Sequence, residues 1–345
     1  MKENEPLLDE PLLEVSKLTL DYNLGKRKMR ALDRVSFQIE KGEIIGVAGE
    51  SGCGKSTLGL AIIKLLPKIA SIRRGEILFE GQDLLKLSED QMNKKIRGQK
   101  ISMIFQNPQD ALNPVFTIEK QMVDILKTQR LYKNKRIRSA KFFRDQAIER
   151  LKATGIADPA QRLSNYPFEF SGGMKQRVMI GMALSSGTSL LLADEATTAL
   201  DVTIEAQINK LIADLAKEYK TSVLYVSHNL GVLAELADRI MIMYAGRVFE
   251  MGTTEDVFGS PSHPYSAALL ESIPSRQDRG KRLLSIPGFV PPLDNLPSGC
   301  SFHPRCKFAE DICKKEIPPM EEVSPGHFSA CFLDTKRGRK RLQWI

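Results

Sequence analysis

Residues 43–67 read EIIGVAGESGCGKSTLGLAIIKLLP, and this stretch decides the fold. A short apolar run of strand length comes first, a glycine-rich break follows, and apolar residues then recur at helical spacing. The break fits the pattern G-x-x-x-x-G-K-[ST], in which backbone N–H groups surround phosphates at the positive end of a helix. The stretch therefore predicts a strand, a phosphate-binding loop and a helix. The residues expected to contact a nucleotide are Gly49, Ser51, Gly52, Cys53, Gly54, Lys55, Ser56 and Thr57.

Three side chains of this loop have specific interpretations. Lys55 should reach the terminal phosphates, and the hydroxyl of Ser56 can bind Mg2+. A helix N-terminus can lower the pKa of a thiol, which would make Cys53 redox-sensitive. Alternatively, Cys53 is a small residue tolerated in the loop. We prefer the second interpretation and leave Cys53 out of the metal ligands.

A second apolar strand, SLLLADEA (residues 189–196), ends in two acids. Asp194 is placed to hold the Mg2+ shell, and Glu195 to orient or deprotonate an attacking water. An apolar strand that ends in Asp-Glu is weak evidence by itself. Together with the phosphate-binding loop, it predicts a site that hydrolyses a nucleoside triphosphate.

The stretch FEFSGGMKQRVMIGMALSS (residues 168–186) predicts another capped helix. Ser171 is a natural N-cap, and Gly172 and Gly173 expose the N–H groups of the first turn. An ordinary capped helix is one interpretation, and a second anion-binding helix end is the other. The two helix ends can serve one nucleotide only if two chains face each other.

These motifs together resemble the ATP-binding subunits of ABC transporters. The resemblance runs from about residue 12 to residue 253 and rests on GESGCGKST, on the signature SGGMKQR and on LLLADE. Smaller elements match as well: Tyr22 in LTLDY as the adenine-stacking aromatic, Gln106 in IFQNP as the Q-loop glutamine, Asp201 ending TALD in the D-loop, and His228 in VSHNL as the switch histidine. The resemblance implies ATP as substrate, Mg2+ held by Ser56, Gln106 and Asp194, and catalysis by Glu195 with His228. A related chain would supply the facing half of each site.

The family fold is an α/β core around a mainly parallel sheet, with an antiparallel β portion and a helical subdomain at about residues 107–186. The residue patterns agree, since RVSFQIE, GEILFEG and RIMIMYAGRVFEMG indicate strands and KFFRDQAIERLKATG indicates a helix. We expect an ATPase domain over residues 12–253 and a small cysteine-rich extension over residues 254–345.

Within the family, the chain is most similar to the oligopeptide and dipeptide importer group. DEATTALDVT, SPSHPYSAALLESIP and IPGFVPPLDNLPSGCSFHPRC are similar to its typical stretches, and the signature resembles the first of its two ATPase types. The group implies a heterodimer with a second ATPase, two transmembrane permease subunits and, indirectly, an extracytoplasmic solute-binding protein. Nickel or oligosaccharides are alternative cargoes. The chain departs from the group at Ala196, where proline is usual, and at Phe168, where histidine is common.

Four of the five cysteines, Cys300, Cys306, Cys313 and Cys331, lie near the C-terminus, separated by five, six and seventeen residues. In a reducing cytoplasm such a group indicates metal ligands rather than disulfides, and the thiolates suit either zinc or an iron-sulfur cluster. The resemblance favours a 4Fe-4S cluster, with zinc as the runner-up and free thiols third. His303 and His327 are alternative ligands, although we expect polar surface residues.

Composition limits the remaining classes. The positive charge behind the net charge of +8 lies mainly in three short patches, at residues 25–30, 133–144 and 336–341. We therefore expect solvated faces and no nucleic-acid partner. No apolar run is long enough to span a bilayer, and the N-terminus is acidic, so we expect the chain to stay in the cytoplasm. The resemblance implies a peripheral protein at the cytoplasmic face of the membrane. Two alternatives are a soluble ABC ATPase acting on nucleic acid or ribosomes and a metal-sensing regulator.

Overall fold

The computed structural model describes residues 10–25, 27–106, 111–132, 138–184, 188–197, 201–273 and 285–333. The strands are β1 (Leu13–Leu24), β2 (Arg27–Ile39), β3 (Ile44–Ala48), β4 (Ala70–Phe79), β5 (Gln82–Asp83), β6 (Ile101–Ile104), β7 (Leu190–Asp194), β8 (Ser222–Val226), β9 (Arg239–Tyr244), β10 (Arg247–Thr253), β11 (Glu321–Ser324) and β12 (His327–Ser329). The helices are α1 (Lys55–Ile62), α2 (Glu89–Gln91), α3 (Ile118–Tyr132), α4 (Ala140–Ala153), α5 (Pro159–Arg162), α6 (Gly172–Ala183), α7 (Val202–Tyr219), α8 (Leu230–Leu236), α9 (Thr254–Gly259), α10 (Pro264–Glu271) and α11 (Asp311–Lys315).

Two sheets organise the chain. A four-stranded antiparallel sheet has the order β2-β1-β4-β5, and an eight-stranded sheet has the order β11-β12-β10-β9-β3-β8-β7-β6. From β9 to β6 the second sheet is parallel, whereas β10, β12 and β11 are antiparallel. The predicted α/β fold with an antiparallel β portion is confirmed.

Strand β3 lies in the middle of the large sheet, and its side chains pack on both faces of that sheet. Ile45 and Val47 join the apolar cluster that contains the antiparallel sheet and α1, while Ala48 joins the cluster that contains residues of α3, α4, α6 and α7. A central parallel strand is buried on both faces, and for this reason its sequence is a continuous apolar run. The helix α1 then begins at the C-terminal end of this strand, after the glycine-rich loop.

The predicted helix and the strands predicted from RIMIMYAGRVFEMG are confirmed. In α4, Phe143, Ala147 and Leu151 are fully buried along one face, and the hydroxyl of Ser139 caps the first turn. The β9-β10 hairpin turns at Ala245 and Gly246, which both have positive φ, as a two-residue hairpin turn requires.

The C-terminal extension packs against the large sheet. Strand β12 pairs with β10, and Phe302 is fully buried with its ring centroid 5.4 Å from that of Tyr244 and 5.2 Å from that of Tyr265. The extension thus shares the apolar cluster of residues 12–253. The proposed domain boundary between residues 253 and 254 stays a prediction. Within the described ranges, no helix combines the length and hydropathy needed to cross a membrane.

Candidate nucleotide site

The phosphate loop (residues 49–56) is held between β3 and α1 by backbone geometry that requires glycine. Gly49 and Gly54 have φ of 148° and 106°. A Cβ at Gly54 would lie 2.7 Å from the carbonyl oxygen of Ala31, and one at Gly49 would collide with the carbonyl oxygen of Met243. Side chains at these two positions would therefore displace the loop from the neighbouring strands.

Lys55 is only 5% exposed, and its charge stays inside the phosphate loop. The ammonium donates to the carbonyl oxygens of Gly49 at 2.7 Å and Glu50 at 3.2 Å. The charge is thereby placed at the N-terminal end of α1, where the helix dipole and the loop N–H groups also favour an anion. This end of the helix is suited to a phosphate group.

Asp194 ends β7 beside the first turn of α1. The hydroxyl of Ser56 donates to its Oδ1 at 3.0 Å. Burial raises the pKa of Asp194, and the neighbouring Glu195 adds to that shift, while the Ser56 hydrogen bond and the charge of Lys55 oppose it. The hydroxyl and the carboxylate are oxygen donors of the kind that Mg2+ prefers.

Three predicted residues converge beyond the ends of adjacent parallel strands. Gln106, Glu195 and His228 follow β6, β7 and β8, which are neighbours in the sheet. The side-chain amide of Gln106 donates to Glu195 Oε2 at 2.7 Å, and Nδ1 of His228 lies 3.8 Å from Oε1. The backbone of Glu195 has φ of 45° and its N–H donates to the carbonyl of Val226 at 3.0 Å. Positive φ is costly for a glutamate, and such strain is found where side-chain direction matters.

Gln106 and Glu195 border a cavity of about 370 Å³, within the size range of small-molecule sites. It is lined by Tyr22, Met29, Ala31, Ser51, Gly52, Gly54, Lys55, Ser56, Thr57, Gln106, Glu195 and Leu293. The hydroxyl groups of Tyr22 and Thr57 lie 3.1 Å apart. Sequence reasoning missed Met29, Ala31 and Leu293, because no motif marks them and only the fold brings β2 and the extension to this cavity.

The signature residues occupy a different place. Ser171 caps α6 by accepting from the N–H of Met174 at 3.4 Å, and Ser171 and Gly172 are exposed, with Gly173 half-buried. Asp201 caps α7 by accepting from the N–H of Ile204 at 3.0 Å. Neither helix N-terminus lines the cavity of the phosphate loop. The rest of the TALD stretch, residues 198–200, lies outside the described residues, as do parts of the three basic patches.

Cys53 is fully buried beneath the phosphate loop. Burial raises the pKa of its thiol, which outweighs the lowering by Lys55 and the backbone hydrogen bonds. The interpretation of Cys53 as a thiol activated by a helix N-terminus is therefore wrong. Its role as a small residue that fits under the loop agrees with the structure.

The other four cysteines line one small cavity of about 20 Å³, together with apolar rings and His303. Burial raises the pKa of Cys306 to about 11 and that of Cys331 to about 12, and the neighbouring cysteines contribute to both shifts. In the part of the chain that the structure describes, no three His, Cys, Asp or Glu side chains are arranged to hold a single metal ion. The expectation that His327 is a surface residue is wrong, because it is buried and its Nε2 lies 2.8 Å from Oε1 of the buried Glu250.

The fold and the site together define a P-loop ATPase of the ATP-binding cassette type. Residues 32–198 match the family described as ABC transporter, and residues 249–313 match the family described as oligopeptide/dipeptide transporter, C-terminal region. The chain is 44% identical to the oligopeptide transport ATP-binding protein OppD of Bacillus subtilis, over 93% of this chain and 88% of that protein. It is 42% identical to the dipeptide transport ATP-binding protein DppD of Lactococcus lactis, over 97% and 94%.

A solved dimeric ATP-binding cassette in a post-hydrolysis state, bound to ADP and Pi, matches with a TM-score of 0.62 and 28% identity, over 70% of this chain and 98% of that chain. The chain belongs to the ABC transporter ATP-binding proteins of the oligopeptide/dipeptide type. It is the ATP-binding subunit of such an importer and hydrolyses ATP to drive transport.

Proposed function

We propose that this chain forms a heterodimer with a second, related ATPase and that the pair energises peptide import through two permease subunits at the cytoplasmic face of the membrane. One observation supports the pairing of two ATPase chains, and the resemblance of the signature to only one of the two importer types is the reason to propose a different chain as the partner. Lys55 and Glu195 line the cavity of the phosphate loop, whereas the capped N-terminus of α6 lies outside it and is exposed. Each complete site would take its phosphate loop from one chain and its signature residues Ser171, Gly172 and Gly173 from the other.

In the complete site, each described side chain has a proposed role. Ser56, Asp194 and Gln106 hold Mg2+, which neutralises charge on the phosphates when it is bound. Tyr22 stacks on the base, and Asp201 contributes at the interface with the partner ATPase. Glu195 takes the proton from the attacking water, and Gln106 and His228 orient its carboxylate by the contacts of 2.7 Å and 3.8 Å.

An apolar groove on this chain supports the proposal of permease partners. It has a volume of about 330 Å³. It is lined by residues of β6, of the segment that follows β6, of α3 and of α6, among them Met103, Phe105, Leu112 and Met182. Phe105 is 42% exposed and directly precedes Gln106. A permease helix that lies in this groove would move the segment of Gln106, so nucleotide contacts and transport would be coupled there.

We propose that the four cysteines lining this cavity hold a structural 4Fe-4S cluster. Four thiols from separate turns of the extension meet at one cavity, and four thiolates are the ligand set of such a cluster. Because burial raises the pKa of Cys306 and Cys331, cluster assembly must release protons from these thiols. The bound cluster would link residues 300–313 to the strand pair β11-β12, in a region that has little regular structure.

Purification of the chain with its native membrane partners tests the importer assignment. We expect two membrane proteins and one further ATPase chain in a stable complex, with ATP turnover stimulated by a peptide-loaded solute-binding protein. Co-purified RNA or DNA would support the soluble alternative instead. Stimulation by nickel or an oligosaccharide, and not by peptides, would identify a different cargo and leave the assignment as an ATPase unchanged.

The cluster has an independent test in anaerobically purified protein. We expect a brown protein with about four iron and four sulfide per chain, and loss of colour in Cys313→Ser. Cys53→Ser is the matched control, because Cys53 is buried but lies at the phosphate loop, outside the cysteine cavity. A colourless protein with one zinc per chain would contradict the cluster and favour the runner-up.

A further inference from the structure

The C-terminal extension contacts the phosphate loop through an arginine. Arg305 Nη1 donates to Glu50 Oε2 at 2.7 Å, and Nη2 donates to Glu50 Oε1 at 3.1 Å. Two parallel hydrogen bonds between a guanidinium and a carboxylate fix direction as well as distance. Glu50 is the second residue of the phosphate loop, and 255 positions separate it from Arg305.

Arg305 is itself held rigidly. Its side chain is only 4% exposed, Nε donates to the carbonyl oxygen of Pro287 at 2.9 Å, and Nη1 also donates to the hydroxyl of Tyr244 at 3.2 Å. The guanidinium lies 5.8 Å from the ring centroids of both Tyr244 and Phe302. A buried guanidinium with these partners has one orientation available, so it can hold Glu50 in a fixed place.

The backbone of Glu50 is tied to the chemistry of the site. Its carbonyl oxygen accepts from Lys55 Nζ at 3.2 Å, and its N–H donates to the hydroxyl of Tyr265 at 3.0 Å. Tyr265 belongs to α10 and is fully buried, so the extension holds both the side chain and the backbone of this residue. A displacement of Glu50 would therefore displace an acceptor of Lys55.

We propose that Arg305 is a positioning residue of the nucleotide site, which acts through Glu50 to hold the phosphate loop in its binding shape. This inference rests on the proposed nucleotide site. A loop already held in shape loses less conformational freedom when a nucleotide binds. Because ground-state and transition-state complexes use the same loop, loss of Arg305 should weaken nucleotide binding while the rate of the chemical step changes little.

Equilibrium binding of ATP and ADP to the full-length chain, together with KM and kcat for ATP of its complex with the partner ATPase, tests the proposal. We expect Arg305→Gln to weaken binding of both nucleotides about three- to tenfold and to raise KM by the same factor. Arg305→Lys should recover part of the loss, because it keeps the charge without the two-pronged geometry. Glu50→Gln should weaken binding similarly, and the double variant should be no worse than the single ones, since both changes remove one interaction.

Arg239→Gln is the matched control, because Arg239 pairs with Glu43 at 3.1 Å on β9 and does not line the nucleotide cavity. A lower melting temperature in Arg305→Gln with unchanged nucleotide affinity would show a purely structural role and overturn the inference. Additive losses in the double variant would overturn it as well. If the wild-type chain bound no ATP, the proposed nucleotide site itself would fail, so the two failures are distinguishable.

Discussion

Replacement of Glu195 by glutamine tests the hydrolytic assignment most directly. The substitution keeps the size of the side chain and one oxygen that can accept from Gln106. In the wild type, Gln106 Nε2 donates to Glu195 Oε2 at 2.7 Å. The substitution removes the negative charge and the ability to take a proton from water. Because Glu195 also raises the pKa of Asp194, its neutralisation leaves Asp194 more readily ionised for Mg2+. The variant should therefore bind ATP at least as well as the wild type.

The expected loss of turnover follows from the role of a general base. Removal of such a group typically lowers the rate of the chemical step by about 10²- to 10⁴-fold, or about 3 to 5 kcal/mol in the activation free energy. Steady-state phosphate release measures this loss. A closed ATP-bound dimer should accumulate. It should retain radiolabelled ATP through rapid gel filtration, and it should elute at the size of the complex with the partner ATPase.

Glu218→Gln is a suitable control, because Glu218 is an exposed glutamate on α7. It should turn over ATP like the wild type. If Glu195→Gln also hydrolysed ATP steadily near the wild-type rate, Glu195 would not be the base. Another group would then have to receive the proton, and the strained backbone at this position would need a different explanation.

Three further changes probe other parts of the site. Gln106→Ala should lower peptide transport roughly 5- to 150-fold through lost coupling, and more than it lowers ATP affinity measured by equilibrium binding; equal losses would indicate a simple binding role. Ser171→Arg should impair phosphate release only at the site whose lysine comes from the partner ATPase, so Ser171→Arg and Lys55→Ala should each leave one working site and the double variant should leave none; full activity of this chain with permeases alone would contradict a heterodimer. Asp194→Asn should abolish hydrolysis but raise the melting temperature at neutral pH, because the folded protein disfavours the buried charge. Since the folded pKa is raised, this gain should shrink as pH falls through that pKa and the wild-type carboxyl is protonated; a gain independent of pH would refute the explanation.

Local features of this protein were predictable from sequence because short-range geometry determines them. The glycines at 49 and 54 are required by the backbone of the phosphate loop, and Ser171 caps α6 through an N–H three residues away. The hairpin turn at Ala245 and Gly246 follows in the same way from positive φ at both positions. The residue types in the nucleotide site were also predictable, since phosphate and Mg2+ chemistry limits the choice.

Contacts between distant segments could not be derived from residue patterns. The contact between Gln106 and Glu195 depends on β6 and β7 being neighbours, and the motifs alone do not state the strand order. The family resemblance supplied these roles, whereas the sheet supplies the physical reason: neighbouring parallel strands end at the same edge. Burial also corrected the expectation for His327 and decided between the two interpretations of Cys53, because exposure depends on what packs above a residue.

The sequence by itself determined a phosphate loop, an acidic strand, a capped signature helix and a group of four cysteines, because each depends on residues close together in the chain. Only the tertiary structure decided that the extension reaches the nucleotide site. Leu293 lines its cavity and Arg305 holds Glu50, and neither residue stands in a pattern that indicates this. Phe302 packs against both Tyr244 and Tyr265 and so places Arg305 beside the loop. Such packing is the sum of many weak contacts over the whole core, which no short stretch of sequence contains.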